Sequence, residues 1–423
     1  MRVVVLGGGS SGEHFVGALR RLDGEAELTL VERSLVGGEC SYWACMPTKT
    51  MLRAPELVAA ARRAPGVAVD GLELPGVFHW RDLVVDGRDD AAQVDWLTSK
   101  RCELVRGDGV VARPGVVEVD GRELAYDRLV IATGSSPQVP PVVEGLDYWT
   151  NKQATEASDV PRTLLVLGGG PVGCEFAQFF ARAGSQVTLV DQAERLLPHV
   201  DAEAAALVQA ALAEDGVQLR LGTSLEAGDL EGFERVLVAT GRRANVDGLD
   251  ALGLTISQRG IEVDERLRAA ADVWAIGDVT GIAQFTHVGK YHARIAAYDI
   301  AGRDVRADHR AIPATIFTDP QVATVGTLEG RIASWQLTST SRLSTYERPK
   351  RPGFVKVAAD PERRVLNGAV AVGPEAGEWL QQLTLAIRAE VPIETLLDVI
   401  PPYPTFSEAV FLALRELELD LDR

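Results

Sequence analysis

The fold class that the 423-residue sequence predicts is α/β, with a duplicated strand–turn–helix–strand unit followed by an α+β domain. Residues 2–32 form the first unit, which reads as strand RVVVL, turn GGGSSG, helix EHFVGALRRL and strand AELTLVE. The same order returns at residues 163–191 as TLLVL, GGGPVG, CEFAQFFARAG and QVTLVD, so the chain contains an internal duplication of one βαβ unit. After Ile312 the pattern changes to short strands and then helices, which is typical of a separate α+β domain.

Length and composition indicate a modular globular protein. A chain this long divides into about two to four domains, because single cores stop growing at about 250–300 residues. The 43 basic and 60 acidic residues give a net charge of -17, which disfavours nucleic acids and anionic membranes as partners. No apolar run reaches about 18 residues, and Met1 leads directly into the strand VVVL, so the sequence predicts neither a membrane span nor a signal peptide. We expect a cytoplasmic protein that acts on small molecules or other proteins.

The turn of each βαβ unit carries the spacing G-x-G-x-x-G. In the first unit the glycines are Gly7, Gly9 and Gly12, and Glu32 ends the next strand. Such glycines let a pyrophosphate approach the N-terminus of the helix, while the acid accepts from ribose hydroxyls. The second unit repeats the pattern at Gly168, Gly170, Gly173 and Asp191. One such motif is weak evidence, but two in the correct context predict two dinucleotide sites.

The chain contains four cysteines, two of which are close together. Cys40 and Cys45 form C-x4-C within GGECSYWACMPTK, ahead of a helix expected from about residue 50 to residue 63. In a straight helix, residues at this spacing have Cα atoms about 8.6 Å apart. Because a disulfide spans at most ~7 Å between Cα atoms, the turn must be distorted if the two sulfurs pair. Cys102 and Cys174 are isolated, and we expect Cys174 to be a packing residue.

Three interpretations of the cysteine pair remain at this point. Lys49 follows Cys45 by one helical turn, so its ammonium can stabilise a thiolate and the pair can be redox-active. The pair can instead be two inert buried thiols, or half of a zinc site. Zinc is disfavoured, because no second Cys/His pair with ligand spacing occurs in the sequence.

Taken together, five ordered motifs resemble one family. They are GGECSYWACMPTK, the two glycine motifs, the ATG runs at 132–134 and 239–241, WAIGD, and IPATIFTDPQVATVG. Over essentially the whole chain they resemble the pyridine nucleotide-disulfide oxidoreductases, the family of lipoamide dehydrogenase, glutathione reductase and mercuric reductase. The resemblance implies two Rossmann-like dinucleotide-binding domains plus a C-terminal α+β dimerisation domain, and thus a homodimer. It implies FAD-binding segments at 1–150 and 265–305, an NAD(P)-binding domain at 151–264 and an interface domain at 306–423.

The resemblance also assigns site residues. Cys40 would exchange with the substrate, Cys45 would lie nearest the flavin, and Lys49 would pair with Glu175 beside the flavin ring, where its charge stabilises the reduced flavin. The residues that the resemblance assigns to FAD are Gly7, Gly9, Gly12, Glu32, Gly38, Thr133, Gly134 and Asp278. Those for the nicotinamide dinucleotide are Gly168, Gly170, Gly173, Asp191 and Gly241. We expect no metal.

The acid at the end of the second nucleotide-binding strand bears on the choice of dinucleotide. Asp191 favours NAD(H), because a carboxylate accepts from a ribose 2′-hydroxyl and repels a 2′-phosphate. Arg195, four residues later, weakens this argument and keeps NADP(H) as the less favoured alternative.

Two positions depart from the family pattern. Disulfide-reducing members carry His-Pro-Thr-x-x-Glu near the C-terminus, and their His, reaching from the partner subunit, is the acid/base for the exchange sulfur. Here the run is YPTFSE, with Tyr403 in the His position and Glu408 retained. A tyrosine, with an ordinary pKa of about 10, is a poor base at neutral pH. The second departure is Glu39, which stands where a threonine is common before the first redox cysteine.

The function we expect is electron transfer from NADH through FAD to a Cys40–Cys45 disulfide and on to an unidentified small-molecule or small-protein acceptor. One alternative is a reductase of quinones, metal ions or a second nucleotide, in which the thiols are not required. An alternative of another class is a redox-responsive flavin-binding protein with low turnover, which Tyr403 permits.

Overall fold

The computed structural model describes residues 1–224 and 227–421, and the chain divides into two compact units. The first unit comprises residues 1–48, 79–138 and 241–308, and the second comprises 49–78, 139–240 and 309–423, apart from the four residues outside the description. Within the described ranges, no helix is both long and apolar enough to cross a membrane.

A six-stranded sheet forms the centre of the first unit. Its strands, in spatial order, are Arg268–Ala270, Val273–Ala275, Arg128–Ile131, Arg2–Leu6, Glu27–Glu32 and Cys102–Arg106. The first βαβ unit lies at its middle, where Val5 pairs in parallel register with Leu30. The smaller sheets of this unit are Val110–Arg113 with Val116–Val119 and Arg122–Ala125, and Ser135–Pro137 with Arg242–Ala244.

Helices pack on the six-stranded sheet because their apolar faces are buried against apolar side chains of its strands. The helix after the first glycine motif buries Phe15 and Leu19, which share a core with Val3 and Val5 of the central strand. Burying a side chain of this size contributes about 2–3 kcal/mol.

The helices that begin in the first unit are Ser10–Leu22, Gly38–Tyr42, Cys45–Arg63, Ala91–Ser99 and Thr286–Ile300. The sequence predicts the helix Cys45–Arg63 from about residue 50, but it starts earlier, at Cys45. The earlier start is possible because a proline such as Pro47 is tolerated in the first turn of a helix.

The second unit contains the repeated βαβ motif and the C-terminal domain. Its parallel sheet has the order Gln218–Arg220, Gln186–Val190, Thr163–Leu167 and Arg235–Val238. Its antiparallel sheet has the order Pro313–Ile316, Gln321–Gly326, Val365–Gly373, Phe354–Asp360 and Arg331–Gln336. The helices in this unit or leading out of it are Leu74–Val84, Asn151–Glu156, Pro171–Arg182, Ala202–Glu214, Ala376–Trp379, Gln381–Arg388, Ile393–Asp398 and Ser407–Leu421.

One hydrophobic core connects the two sheets of the second unit. Phe179 and Leu189 of the parallel-sheet layer belong to the same buried cluster as Val322 and Phe354 of the antiparallel sheet. The α+β domain predicted after Ile312 is therefore present, and its antiparallel sheet packs on the second βαβ unit. Short 3-10 turns complete the described chain at Asp86–Arg88, Pro141–Val143, Ala227–Leu230, Asp250–Leu252, Gly277–Thr280, Leu337–Ser339 and Leu343–Thr345.

Candidate active site

The first glycine motif forms a tight turn between strand and helix. Gly7 has φ of +104°, and a Cβ on Gly12 would overlap the carbonyl oxygen of Gly7, so both positions require glycine. Gly9 is the N-cap of the helix and provides no side-chain hydrogen bond, which leaves the first N–H groups available to an anion. The Glu32 carboxylate accepts the N–H groups of Gly8 and Ser34, each at 2.7 Å.

The cysteine-bearing segment and the AIGD turn approach the N-terminus of the same helix. A Cβ on Gly38 would lie 2.7 Å from the Cα of Gly9, and one on Gly277 would overlap the hydroxyl of Ser11. The surface between these segments consists of backbone atoms and small side chains. A Cβ at Gly38 or Gly277 would take up space that this surface leaves for a ligand. With the free helix N-terminus and the fixed Glu32 carboxylate, it fits the pyrophosphate and ribose of FAD.

The first ATG run lies beside the AIGD turn. Gly134 has φ of +72°, and Thr133 donates its hydroxyl to the Asn245 carbonyl at 2.6 Å. Ser135 donates to the Asp278 carboxylate at 2.7 Å. Burial raises the pKa of Asp278, while the Ser135 hydrogen bond opposes that rise. The structure therefore brings together Thr133, Gly134 and Asp278 within the first unit.

The second glycine motif repeats this geometry in the second unit. Gly168 has φ of +110°, and a Cβ on Gly173 would overlap its carbonyl oxygen. Gly170 is the N-cap, again without a side-chain hydrogen bond. The Asp191 carboxylate accepts the N–H of Gly169 at 2.5 Å and that of Ala193 at 2.7 Å. Gly241, which ends the second ATG run, has φ of +125° and lies in the first unit.

Arg195 is directed to its own loop. Its guanidinium donates to the carbonyl oxygens of Leu197, Pro198 and Val200 at 3.1, 2.7 and 3.0 Å. Both terminal nitrogens of Arg195 thus donate to backbone carbonyls of the loop. Arg195 is therefore a weaker argument for NADP(H) than Asp191 is for NAD(H).

The cysteine pair lies where one helix ends and another begins. The helix with Cys40 ends at Tyr42, and the next begins at Cys45, so the segment is not the straight helix in which the sulfurs stay apart. Both cysteines are half-buried free thiols, and Cys40 hydrogen-bonds Cys45. That hydrogen bond and burial raise the pKa of the Cys40 thiol, while Thr286 and Lys290 lower it in part. Sequence reasoning missed Thr286, whose hydroxyl lies 3.4 Å from the Cys45 sulfur.

Lys49 and Glu175 form an ion pair in the second unit. The Lys49 ammonium lies 2.7 Å from Oε2 of Glu175, a side chain that is only 5% exposed. The other carboxylate oxygen accepts the backbone N–H of Phe317 at 2.9 Å. Lys49 also lies 5.0 Å from the centre of the Phe317 ring, within cation–π range. Phe317 belongs to the IFTDP run, but its contact with this pair has no signal in the sequence.

Glu39 forms an ion pair that sequence reasoning did not anticipate. Arg242 donates to Oε2 of Glu39 at 2.7 Å. The same guanidinium donates to the hydroxyl and the carbonyl of Ser135, both at 2.7 Å. Because Ser135 in turn donates to Asp278, a polar chain connects the residue before Cys40 with the AIGD turn.

The two polar residues of the C-terminal motif differ in their exposure to solvent. Tyr403 is 70% exposed and donates its hydroxyl to Ser341 at 2.9 Å. Among the described residues, Oε2 of Glu408 is buried without a hydrogen-bond partner. The remaining cysteines are buried, and burial raises the pKa of both Cys102 and Cys174.

Comparison with known proteins gives consistent matches over nearly the whole chain. Residues 1–293 match the family model described as pyridine nucleotide-disulphide oxidoreductase, and residues 312–414 match the dimerisation domain of that family. Dihydrolipoyl dehydrogenase 2 of Haloarcula marismortui is 32% identical, covering 96% of this chain and 94% of its own. Mercuric reductase of Bacillus cereus is 31% identical, covering 98% of this chain and 71% of its own.

Two solved structures have the same fold as this chain. LpdA of Mycobacterium tuberculosis has a TM-score of 0.87 and 26% identity, with 99% of each chain covered. The HOCl-induced flavoprotein disulfide reductase RclA of Escherichia coli, at 23% identity and a TM-score of 0.83, has the same fold over 99% of each chain. The predicted fold class is confirmed: two dinucleotide-binding domains and a C-terminal dimerisation domain. The chain belongs to the pyridine nucleotide-disulphide oxidoreductase family and is an oxidoreductase that uses FAD and a nicotinamide dinucleotide.

Proposed function

We propose that this protein oxidises NADH and delivers the electron pair, through FAD and a disulfide of Cys40 and Cys45, to an acceptor in the manner of a dihydrolipoyl dehydrogenase. The observation that carries the proposal is the hydrogen-bonded pair of half-buried thiols, Cys40 and Cys45, in the unit that holds the first dinucleotide motif. Two relatives that support it, at 32% identity, are dihydrolipoyl dehydrogenases by name.

The two sulfurs would work in sequence. FAD, when bound, supplies an acceptor for the hydride of the nicotinamide and a donor of electrons to sulfur. The Cys40–Cys45 bond breaks on taking up the electron pair and two protons, and two thiols form. Cys40 then loses its proton and its sulfur attacks a disulfide acceptor. Cys45 loses its own proton, displaces the reduced product and closes the disulfide again, and the two protons end on the sulfurs of the product. Lys49, held by Glu175, would place positive charge where reduction develops negative charge.

We assign NADH as the preferred donor. Both Asp191 oxygens are fixed by backbone N–H groups, so the carboxylate has a set position from which to accept from a ribose hydroxyl. The Arg195 guanidinium supports this choice as well, because it donates to carbonyl oxygens of its own loop. NADPH remains the alternative that the kinetic comparison tests.

The observation at position 403 favours a second candidate function. Tyr403 is exposed and donates to Ser341. An acceptor that requires little proton transfer, such as a quinone, a metal ion or a second nucleotide, therefore suits this site better than a dithiol does. Relatives named mercuric reductase, 31% and 32% identical, are consistent with this candidate. The candidate of another class is a low-turnover redox-responsive flavoprotein.

The assembly that we propose is a homodimer formed through the dimerisation domain at 312–414. We further propose that residues 1–150 and 265–305 bind FAD, that residues 151–264 form the NAD(P)-binding domain, and that residues 306–423 form the interface. Sedimentation of the purified protein tests the dimer.

An acceptor panel after selective alkylation separates the candidates. The enzyme is reduced with NADH, treated with iodoacetamide until Cys40 and Cys45 are both modified, and assayed with lipoamide, a quinone, a metal ion and a nucleotide analogue. Loss of every acceptor activity, with NADH still bleaching the flavin, supports the disulfide route. Retention of quinone or metal-ion reduction supports the second candidate, and negligible turnover with the whole panel before alkylation supports the low-turnover protein.

A further inference from the structure

We infer that the ion pair between Lys356 and Asp201 positions the dinucleotide site. It holds the segment 191–201, and with it Asp191, so that the Asp191 carboxylate can accept from the adenosine ribose. The inference rests on the role of Asp191 in the proposed function. It adds Lys356, a residue of the antiparallel sheet, to the determinants of dinucleotide affinity.

The 191–201 segment begins at the second glycine motif. The Asp191 carboxylate accepts the backbone N–H of Gly169 at 2.5 Å. Leu197 donates its own N–H to the Gly169 carbonyl at 2.9 Å, so the segment returns to the same glycine. A Cβ on Gly169 would lie 2.6 Å from a methyl carbon of Leu196, which shows how closely the segment packs on the turn. A displacement of the segment therefore disturbs the surroundings of Asp191.

The middle of the segment is a compact turn. Leu197 has φ of +50°, a conformation that residues other than glycine rarely adopt. Leu196 and Leu197 are buried in the core of the second unit. The Arg195 guanidinium donates to three backbone carbonyls between residues 197 and 200. Because these residues have fixed positions, a change at one end of the segment is transmitted to the other end.

The antiparallel sheet holds the far end of the segment. Asp201 is the N-cap of the helix Ala202–Glu214, and its Oδ1 accepts two backbone N–H groups of the first turn at 3.1 and 3.2 Å. Its Oδ2 accepts from the ammonium of Lys356, in the strand Phe354–Asp360, at 2.7 Å. The side chains of Lys356 and Asp201 are only 15% and 13% exposed, so solvent ions screen their attraction less than they screen a surface pair.

The Lys356 ammonium has further contacts that fix it. It lies 3.3 Å from a carboxylate oxygen of Glu203 and 5.0 Å from the centre of the Phe354 ring, within cation–π range. Burial would raise the pKa of Asp201, but the hydrogen bonds from Lys356 and from the backbone lower it, so the cap is charged at neutral pH. Removal of the ammonium leaves this carboxylate without its cation, and we expect the end of the segment to move towards water.

The same helix provides a matched control at its other end. Arg351 lies 2.9 Å from a carboxylate oxygen of Glu214, the last residue of the helix. The 13 residues of the helix span about 20 Å, so this ion pair is far from Asp201. Glu214→Gln therefore removes an ion pair between the helix and the C-terminal part of the chain without acting on the 191–201 segment.

The test measures the binding of ADP-ribose, which contains the adenosine half of the dinucleotide and no nicotinamide. Calorimetry with the oxidised holoenzyme gives Kd without turnover. Lys356→Met removes the charge and keeps an apolar stem, whereas Asp201→Asn removes the partner charge and keeps a side chain that can cap the helix. Reduced nicotinamide mononucleotide, which lacks the adenosine half, is the matched electron donor in a flavin-bleaching assay.

Lys356→Met and Asp201→Asn should each weaken ADP-ribose binding by about 10-fold, a typical size for coupling between separate groups. The double variant should lose no more than either single variant, because both changes remove the same ion pair. KM for NADH should rise by a similar factor while kcat and flavin reduction by the mononucleotide stay at wild-type values. Glu214→Gln should bind ADP-ribose as the wild type does.

Wild-type affinity for ADP-ribose in both Lys356→Met and Asp201→Asn would overturn the inference. An equal loss of flavin reduction by the mononucleotide would also overturn it, since that loss indicates general damage to the fold.

Asp191→Ser, measured alongside, separates this result from the proposed function. Weak ADP-ribose binding in Asp191→Ser with wild-type binding in the two ion-pair variants refutes the role of the ion pair alone. Wild-type binding in Asp191→Ser refutes the assignment of Asp191, and the inference with it.

Discussion

The ammonium of Lys49 lies 2.7 Å from a Glu175 carboxylate oxygen, and the other oxygen of that carboxylate accepts the backbone N–H of Phe317 at 2.9 Å. The carboxylate is thus held from two sides, by a helix and by the residue after the strand Pro313–Ile316. Lys49 is about one-third exposed, whereas Glu175 is buried, so the fixed carboxylate orients a more accessible cation.

Replacing either member of this pair should slow reduction by NADH. Lys49→Met removes the charge, and we expect flavin bleaching in a stopped-flow experiment without acceptor to slow by about 10²-fold, the usual size of a lost electrostatic contribution. Glu175→Gln keeps the shape and should slow it by about 10-fold through loss of orientation. Arg53→Met, one turn further on the same helix and half exposed, is the control and should leave the rate unchanged. Wild-type rates in both pair variants would remove the pair from the reaction.

Asp191 should determine the preference for NADH. Asp191→Ser removes the carboxylate, and kcat/KM for NADH should fall by about 10-fold while the value for NADPH rises relative to it. Arg195→Gln is the matched control, since the Arg195 guanidinium donates to carbonyls of its own loop. A preference for NADPH in the wild type, or loss of NADPH activity in Arg195→Gln alone, would contradict the assignment.

Tyr403→His should increase activity with a dithiol or disulfide substrate. An imidazole supplies proton transfer typically worth 10²- to 10⁴-fold in rate, and Glu408 is retained in the chain to orient it. Lipoamide reduction should therefore rise at least about 10-fold, with quinone reduction unchanged on the same preparations. Tyr403→Phe is the control for the lost hydrogen bond to Ser341. If the wild type already reduces lipoamide as fast as its best acceptor and the His variant gains nothing, Tyr403 is not the determinant.

Asp319 should be a main source of acid sensitivity in the second unit. Burial alone would raise the pKa of its carboxyl, but the charges of Arg182, Arg63 and Arg351 hold it below the ordinary value. A depressed folded pKa stabilises the fold above the unfolded pKa of about 3.9, and this stability is lost as the pH falls through the folded pKa.

Asp319→Asn should therefore destabilise the protein by about 3–5 kcal/mol at pH 7, as expected when one partner of a buried ion pair is removed. Scanning calorimetry should show a lower melting temperature at pH 7 and a gap to wild type that narrows below about pH 4. Asp108→Asn, in a pair whose side chains are 62% and 75% exposed, should change little. A gap for Asp319→Asn that does not depend on pH would assign the loss to packing instead.

Local sequence predicted the parts of the site that depend on neighbouring residues. Gly7 and Gly12 shape one turn, and Glu32 ends the strand that follows it in the βαβ unit. Their spacing in the sequence alone therefore predicts the geometry of the first glycine motif. The partners of Glu39 and Cys45 could not be predicted in this way. Arg242 follows Glu39 by 203 residues and Thr286 follows Cys45 by 241, and only the packing of distant elements brings them together. Neither partner belongs to a pattern with a fixed spacing.

The central claim is that the Cys40–Cys45 pair carries electrons, and an anaerobic reductive titration tests it most directly. Dithionite is added to the oxidised holoenzyme while flavin absorbance and free thiols are followed. We predict that wild type takes up one electron pair more than its bound FAD accounts for, with two new thiols that alkylation maps to Cys40 and Cys45. The Cys40→Ser, Cys45→Ser double variant should bind FAD equally well and take up only the flavin equivalent. Equal uptake by wild type and the double variant would contradict the account.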